Sequence, residues 1–439
     1  MEINIDARVD SISMPENLKV GLMVSQARAA CGGKCDDDFA GFAFGQSPFH
    51  VPRPLEQALC ESAGKGHYSD AEGILELREA VAGFNNRHFG LDVDAGRVVV
   101  GPGTKDLIFT VFSMISGSVI IPAPSWIGYY PQLRLLDKHY HPYKLRAKHG
   151  YKIQPDELDD FLSKLAHERN QHLLVVNNPH NPTGLVYSKD ELNEIVEVCR
   201  NNNTLILADE IYALCTYNIE DFTSMAKLYP EGAFVTNGLS KDRSAGGYRL
   251  GSCILPEQQS DKLFSDFTKI AATIYTNVST PTQYAAVKAY EPNSEIDEYL
   301  KITRDIHRMM GAYFSERFNE IEGIQATTPR GAFYFYADFN QLTYLLKKKG
   351  VVSSNELGRS LLGHPYHVAT ITGDAVMLSP DDYGARIAFV DYDGKKAFDR
   401  YKADSPKFES DEIEFVNENA PRMIKGVESL KEYIEHLKS

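Results

Sequence analysis

Cysteine is scarce and scattered: six thiols, Cys31, Cys35, Cys60, Cys199, Cys215 and Cys253, in 439 residues, without a paired CxxC spacing. A chain this long builds a hydrophobic core without cross-links, which excludes a disulfide scaffold and makes a reducing cytoplasm the expected compartment. Cys31-Gly-Gly-Lys-Cys35 is not followed by a second pair at matching spacing, so no metal centre is expected. Long apolar runs are missing as well. Nowhere do about 18 uninterrupted apolar residues occur, and the opening Met1-Glu-Ile-Asn-Ile-Asp has no basic segment leading into an apolar one. Neither a membrane span nor an export signal is therefore expected. Positive charge is in deficit, with a formal net charge of −14 and no basic stripe interleaved with aromatics, which argues against nucleic acid as a partner. Low-complexity linkers and internal repeats are absent, and 43% hydrophobic with 24% charged residues are ordinary globular values. The chain is expected to fold through most of its length.

What is present is an alternation of short apolar runs and helical patterns from about Arg97 onward. Strands are predicted over 98–100, 118–122, 172–176, 204–208, 233–236 and 252–255, and helices over 105–114, 155–165 and 189–199. Apolar runs without polar alternation suit strands covered on both faces. The expected fold is therefore α/β, a mainly parallel sheet between helix layers, with function at the carboxyl ends of the strands. Helical patterns dominate from 257 to 318. Short strands at 333–336 and 385–389 and a helix over 428–438 then suggest a second, smaller α/β lobe. The segment at Pro15 and the Pro/Gly-punctuated stretch 41–54 read as loops, and the acidic Phe408-Glu-Ser-Asp-Glu-Ile-Glu as a solvated helix start or surface loop.

Four landmarks stand in fixed order, each at or just past a predicted strand end. They are Gly103-Thr104-Lys105, Asn177-Asn-Pro-His-Asn-Pro-Thr-Gly184, Asp209-Glu-Ile-Tyr212, and Ser240-Lys241 with Arg249 eight residues on. Singly, each has a plain structural reading: Asn-Pro as a turn, an Asp after a strand as a helix cap, Ser-Lys as a surface pair. Gly103-Thr104-Lys105, between a strand and a helix, offers free backbone N–H groups to a phosphate. The spacing G-x-x-x-x-G-K-[ST] is absent, so nucleotide hydrolysis finds no support.

Together the landmarks resemble the class I/II aminotransferases of the aspartate-aminotransferase-like superfamily, from about Gly41 to Phe389. The resemblance implies fold type I, with a large cofactor-binding domain over 53–300 and a small domain made of 1–52 and 301–439. It implies pyridoxal 5′-phosphate as cofactor, in a Schiff base on Lys241, an imine being activated for exchange with an incoming amine. Asp209 would pair with the pyridine nitrogen and make the ring a better electron sink. Tyr212 and Asn181 would hydrogen-bond the phenolic oxygen. Gly103, Thr104, Lys105, Ser240 and Arg249 would hold the phosphate, and Trp126, in Pro122-Ala-Pro-Ser-Trp126, would stack on the ring. Tyr68, in His67-Tyr68-Ser-Asp, resembles a tyrosine that reaches the phosphate from the neighbouring subunit, implying a homodimer with shared sites. Arg386, in Gly384-Ala-Arg386-Ile-Ala, would grip the substrate α-carboxylate. Gly45, in Phe44-Gly45-Gln-Ser-Pro48, would line that pocket, bordered also by Asn181 and Trp126. The chain departs from the pattern at Gly238, where many relatives carry a serine that reaches the phosphate; Asn237 or a water is the expected substitute.

The implied reaction moves an amino group from an L-amino acid to a 2-oxo acid, with aspartate, alanine and aromatic donors all left open. Carbon–sulfur β-lyases and aminocyclopropane-carboxylate synthases share nearly all these landmarks and are the alternative. A cofactor-sensing regulator would need a DNA-binding module, and the acidic stretch before Gly41 lacks helix-turn-helix patterning.

Overall fold

The computed structural model describes residues 3–12, 14, 16–30, 39–165, 167–168 and 171–439. Pro15, Cys31 and Cys35, singled out above, lie outside the described residues. The apolar runs form a seven-stranded sheet: Val98–Gly101 (β1), Val119–Ala123 (β2), Tyr140–Lys144 (β3), Leu173–Asn177 (β4), Leu205–Asp209 (β5), Ala233–Gly238 (β6) and Gly251–Ile254 (β7). The spatial order is β1-β7-β6-β5-β4-β2-β3. β3, β2, β4, β5 and β6 pair in parallel, while β7 runs antiparallel to both β6 and β1.

Alternate residues of these strands feed two separate cores, as the two-residue period of a strand requires. Val99, Ile121, Val175 and Leu207 pack with Leu107 and Val111 of helix Thr104–Met114 and with Phe267 of helix Ser260–Ile274. Val100, Ile120, Val176 and Ile206 face the opposite core, which includes Leu158 and Leu162 of helix Pro155–Leu165 and Ile195 and Val196 of helix Lys189–Asn201. Both faces are thus covered by helices, which is why the strand sequences are apolar throughout rather than alternating. The last of these helices opens on a capping box, in which Ser188 and Glu191 satisfy each other's backbone N–H groups.

A second sheet, all antiparallel, comprises Gln325–Ala326 (β8), Tyr334–Asp338 (β9), Ile371–Thr372 (β10) and Gly384–Ala388 (β11), in the order β10-β11-β9-β8. The helix Ser294–Asn319 packs against it through Phe318, whose ring meets Phe335 edge-on at 5.0 Å. The N-terminal segment joins this part of the chain: Ala40–Gly41 pairs in parallel with Val368–Ala369, and Ala388 N donates to Phe42 O at 2.9 Å.

Some elements differ from expectation. Glu16–Ala30 is a helix, so the loop expected from Pro15 does not extend over Glu16-Asn-Leu. The acidic segment, by contrast, is the helix start that was one of its two expected readings: it opens Glu409–Asn419, with negative charge in the first turn where the helix dipole favours it. The edge strand β3 and the helix Leu75–Phe89 carry no clear periodic signal. No helix among the described residues is long and apolar enough to cross a membrane.

Candidate active site

Parallel strands put their carboxyl ends on one side, and the landmarks meet there. Gly103 follows β1, Trp126 follows β2, Asn177 ends β4, Asp209 ends β5, and Lys241 follows β6. Arg249 joins them because β7 runs the other way. Gly251 pairs with both Gly238 and Gly101, so the residues just before β7 lie beside the carboxyl ends of its neighbours.

Gly103 caps helix Thr104–Met114 with φ of 95°, and a Cβ there would come within 2.4 Å of the Arg249 guanidinium. Glycine therefore serves both the backbone geometry and the close approach of arginine to the helix N-terminus. Arg249 donates to the carbonyls of Gly246 (2.8 Å) and Pro102 (3.2 Å), and Lys241 Nζ to that of Gly45 (2.8 Å). Lys105 lies 5.6 Å from the Trp126 ring centre, and partial burial, then the charges of Arg249 and Lys241, hold it below the ordinary lysine range. Among the described residues no carboxylate lies in ion-pair contact with any of these cations. They converge at a helix N-terminus with only neutral acceptors, which is what an anion site requires.

Gly238 is explained by packing. A Cβ there would sit 2.9 Å from Leu250 O and 3.1 Å from Gly251 Cα, so a serine has no room in this register. The expected substitute is corrected in part, because Asn237 Oδ1 accepts from Gly238 N at 2.6 Å and is turned to the backbone.

Asp209 is buried, and burial raises its carboxyl from 3.8 to about 6. A residue missed in the sequence meets it: the fully buried Tyr129 donates from its hydroxyl to Asp209 Oδ2 at 2.7 Å. Tyr129 also packs edge-on to Trp126, with ring centres 5.0 Å apart. The spacing Trp-x-x-Tyr at a helix start was the available signal. The helix-cap reading of Asp209 does not fit, since Tyr212 is the N-cap of the short turn Ala213–Cys215 and Asp209 Oδ1 meets Ile211 N only at 3.4 Å.

A second missed residue, Tyr334 on β9, links the two sheets. Tyr212 donates to the Tyr334 hydroxyl at 3.1 Å, and Tyr334 donates to Gly45 O at 3.2 Å, the carbonyl that also accepts from Lys241. A Cβ on Gly45 would fall 1.8 Å from the Tyr334 hydroxyl, so this contact requires glycine. Arg386, only 9% exposed, lies 4.7 Å over the Tyr334 ring, and one Nη donates to Ala43 O at 2.6 Å. Among the described residues its Nε is buried without a hydrogen-bond partner, as is Asn181 Oδ1. Asn181 is fixed through its backbone N–H, which donates to Asn177 Oδ1 at 2.7 Å. Ser240 is half-buried beside Lys241, and Thr104 opens the helix. Tyr68 stands apart from these groups, with 86% of its surface exposed.

A family model described as aminotransferase class I and II matches residues 40–387. The chain belongs to that family. The aspartate aminotransferase of Bacillus sp. (strain YM-2) is 29% identical over 345 residues, spanning 76% of this chain and 84% of that protein. The asparagine–oxo-acid transaminase of Streptococcus mutans is 28% identical over 367 residues, spanning 80% and 88%. Among solved structures, a double mutant of Thermus thermophilus aspartate aminotransferase superposes with a TM-score of 0.80 over 98% of this chain and 100% of its own, at 21% identity. An alanine aminotransferase from Pyrococcus furiosus gives 0.79 over 99% and 100%, at 22%. At those identities the likeness concerns the fold, which is the α/β arrangement expected from the sequence. This aminotransferase, as a class I/II member, uses pyridoxal 5′-phosphate. The residues present fit that group: cations around a helix N-terminus suit the phosphate, the buried Asp209 suits a ring nitrogen, and the buried Asn181 Oδ1 is left needing a polar neighbour.

Proposed function

We propose that the aminotransferase moves an amino group between an L-amino acid and a 2-oxo acid with its cofactor attached to Lys241, in a homodimer whose partner subunit supplies Tyr68. The observation that carries this reading is Arg386, a buried guanidinium with a donor to spare, next to the Tyr334–Gly45–Lys241 chain of contacts. A substrate carboxylate would use two parallel N–H donors there and so be oriented as well as neutralised. Residues 53–300 would form the cofactor domain, with 1–52 and 301–439 as the small domain that carries Arg386 and Gly45 to it.

When bound, pyridoxal phosphate supplies an aldehyde that carries the amino group and a ring that withdraws electrons from the substrate. Lys105, Thr104, Ser240 and Arg249 would hold its phosphate, Trp126 its face, Asp209 its ring nitrogen, and Tyr212 with Asn181 its phenolic oxygen. Lys241 Nζ would take up and return the proton at the substrate Cα. Two half-reactions at one site predict ping-pong kinetics. A panel of L-amino acids against 2-oxoglutarate and pyruvate, read by formation of the pyridoxamine form, tests the reading. Amine release without transfer to any 2-oxo acid would contradict it.

Tyr129 would tune Asp209. Its hydroxyl donates to the carboxylate and opposes the upward pull of burial, so Tyr129→Phe should raise the Asp209 pKa further. A hydrogen bond to a charged acceptor is worth about 1.5–3 kcal/mol, so the acid limb of kcat/KM should move up by about one to two pH units. An unmoved limb would remove Tyr129 from the account.

The shared site is tested by subunit exchange between Tyr68→Ala and Lys241→Ala, each first shown to be severely impaired. A mixed dimer holds one site with both lesions and one with neither. Activity should recover toward one intact site per mixed dimer; verified exchange without recovery would show that each chain works alone.

A further inference from the structure

We propose that His139, His141 and Glu168 form a binding site for one zinc-class divalent cation, at the end of the large sheet opposite Lys241. No spacing in the sequence announces it, because Glu168 comes from a separate element, beyond helix Pro155–Leu165. β3 is the edge strand, paired only with β2, and His141 lies opposite Ile120. His139 O accepts from Val119 N at 3.1 Å, which places the cluster where β2 begins, whereas Lys241 and Asp209 lie where the parallel strands end. Residues two apart along an extended chain project to the same side. The two imidazoles accordingly sit together, ring centres 4.6 Å apart at 90°.

The donor atoms of His139, His141 and Glu168 all lie within 4.8 Å of one another. His141 Nε2 and Glu168 Oε1 are 3.0 Å apart, yet Nε2 is buried without a directed hydrogen-bond partner. The two atoms stand at ion-pair distance, and a cation would take the place of a proton between them. Neighbouring ligands on a tetrahedral ion with bonds of about 2.0–2.1 Å are roughly 3.3 Å apart, close to this spacing. The other carboxylate oxygen, Oε2, accepts from Ser118 Oγ at 3.1 Å, and Ser118 Oγ is within 2.8 Å of His172 Nδ1. Ser118 and His172 thus orient the carboxylate with Oε1 toward the histidines, the support expected behind a metal ligand.

Two imidazole nitrogens and one carboxylate oxygen suit zinc, cobalt or nickel; calcium and magnesium would call for an all-oxygen set. His139 is exposed, so a water can complete four-coordination. The bound ion would clip the edge strand to the chain beyond the helix, adding stability by mass action without touching the chemistry.

The test uses the holoenzyme in equilibrium dialysis against micromolar zinc, with metal analysis, for wild type, Glu168→Gln and the double variant His139→Ala/His141→Ala. Wild type should retain one zinc per chain and show a metal-dependent rise in Tm. Both should be absent in the double variant, and Glu168→Gln, which keeps the acceptor for Ser118, should weaken binding at least about tenfold. Transaminase activity should be equal in all three. Cobalt in place of zinc should show ligand-field bands without thiolate charge transfer, separating this site from the cysteines. No retained zinc in wild type, equal zinc in wild type and variants, or a thiolate signature would overturn the proposal.

Discussion

Lys241→Ala is expected to lower transamination by about 10⁴-fold or more, while leaving a folded protein that still binds pyridoxal phosphate weakly and reversibly. The size follows from the two tasks assigned to one nitrogen, covalent attachment of the cofactor and proton transfer at Cα, since a positioned acid–base group alone contributes about 10²–10⁴. Folding should be little affected. Among the described residues Lys241 Nζ makes one hydrogen bond, to Gly45 O, and otherwise faces the rings of Tyr212 and Phe333 at 5.6 and 5.5 Å. Single-turnover measurements with saturating cofactor would check this, and activity within tenfold of wild type would show that another group is the base.

Asp209→Ala should cost roughly 100- to 1,000-fold in the chemical step, with substrate binding changed much less, because on the proposed reading the ring nitrogen would lose the carboxylate that keeps it protonated. Stability should respond differently. The substitution removes a carboxyl that burial disfavours in its charged form, but it leaves the Tyr129 hydroxyl without its acceptor, at about 1–3 kcal/mol. The apoprotein carries a distinct signature. Asp209 is raised from 3.8 to about 6, so the folded state holds a proton that the unfolded chain releases between those values. Its stabilising contribution is full below about pH 4 and is lost as pH rises through about 6. Apoprotein melting temperatures across that window should therefore slope downward less in Asp209→Ala than in wild type. Equal loss of melting temperature and activity in the cofactor-saturated variant would assign Asp209 a structural role.

The sheet was legible because its strands are buried on both faces, which leaves uninterrupted apolar runs in the sequence. β1, β2, β4 and β5 lie within one or two residues of their predicted positions. β3 was not legible. It is an edge strand of mixed exposure, so it lacks the uninterrupted apolar run that marks the covered strands. The reversed direction of β7 leaves no mark on composition either, although it brings Arg249 to Gly103. In the candidate site, Lys241, Asp209 and Arg249 were singled out by the resemblance of the ordered landmarks to the class I/II aminotransferases, each having a plain structural reading on its own. Tyr129 and Tyr334 were hidden among apolar neighbours, where a tyrosine reads as core until its hydroxyl is seen to meet Asp209 or Tyr212. Gly238 could be noted as a departure from the family, but its reason, the approach of Leu250 O and Gly251, exists only in three dimensions.

The central claim is that Lys241 carries the cofactor, and reduction of the purified holoenzyme with borohydride followed by proteolysis and peptide mapping tests it directly. The account predicts one phosphopyridoxyl group per chain, on the peptide containing Ser240-Lys241-Asp242. A label on any other lysine, Lys105 included, or holoenzyme that takes up no label, would contradict it.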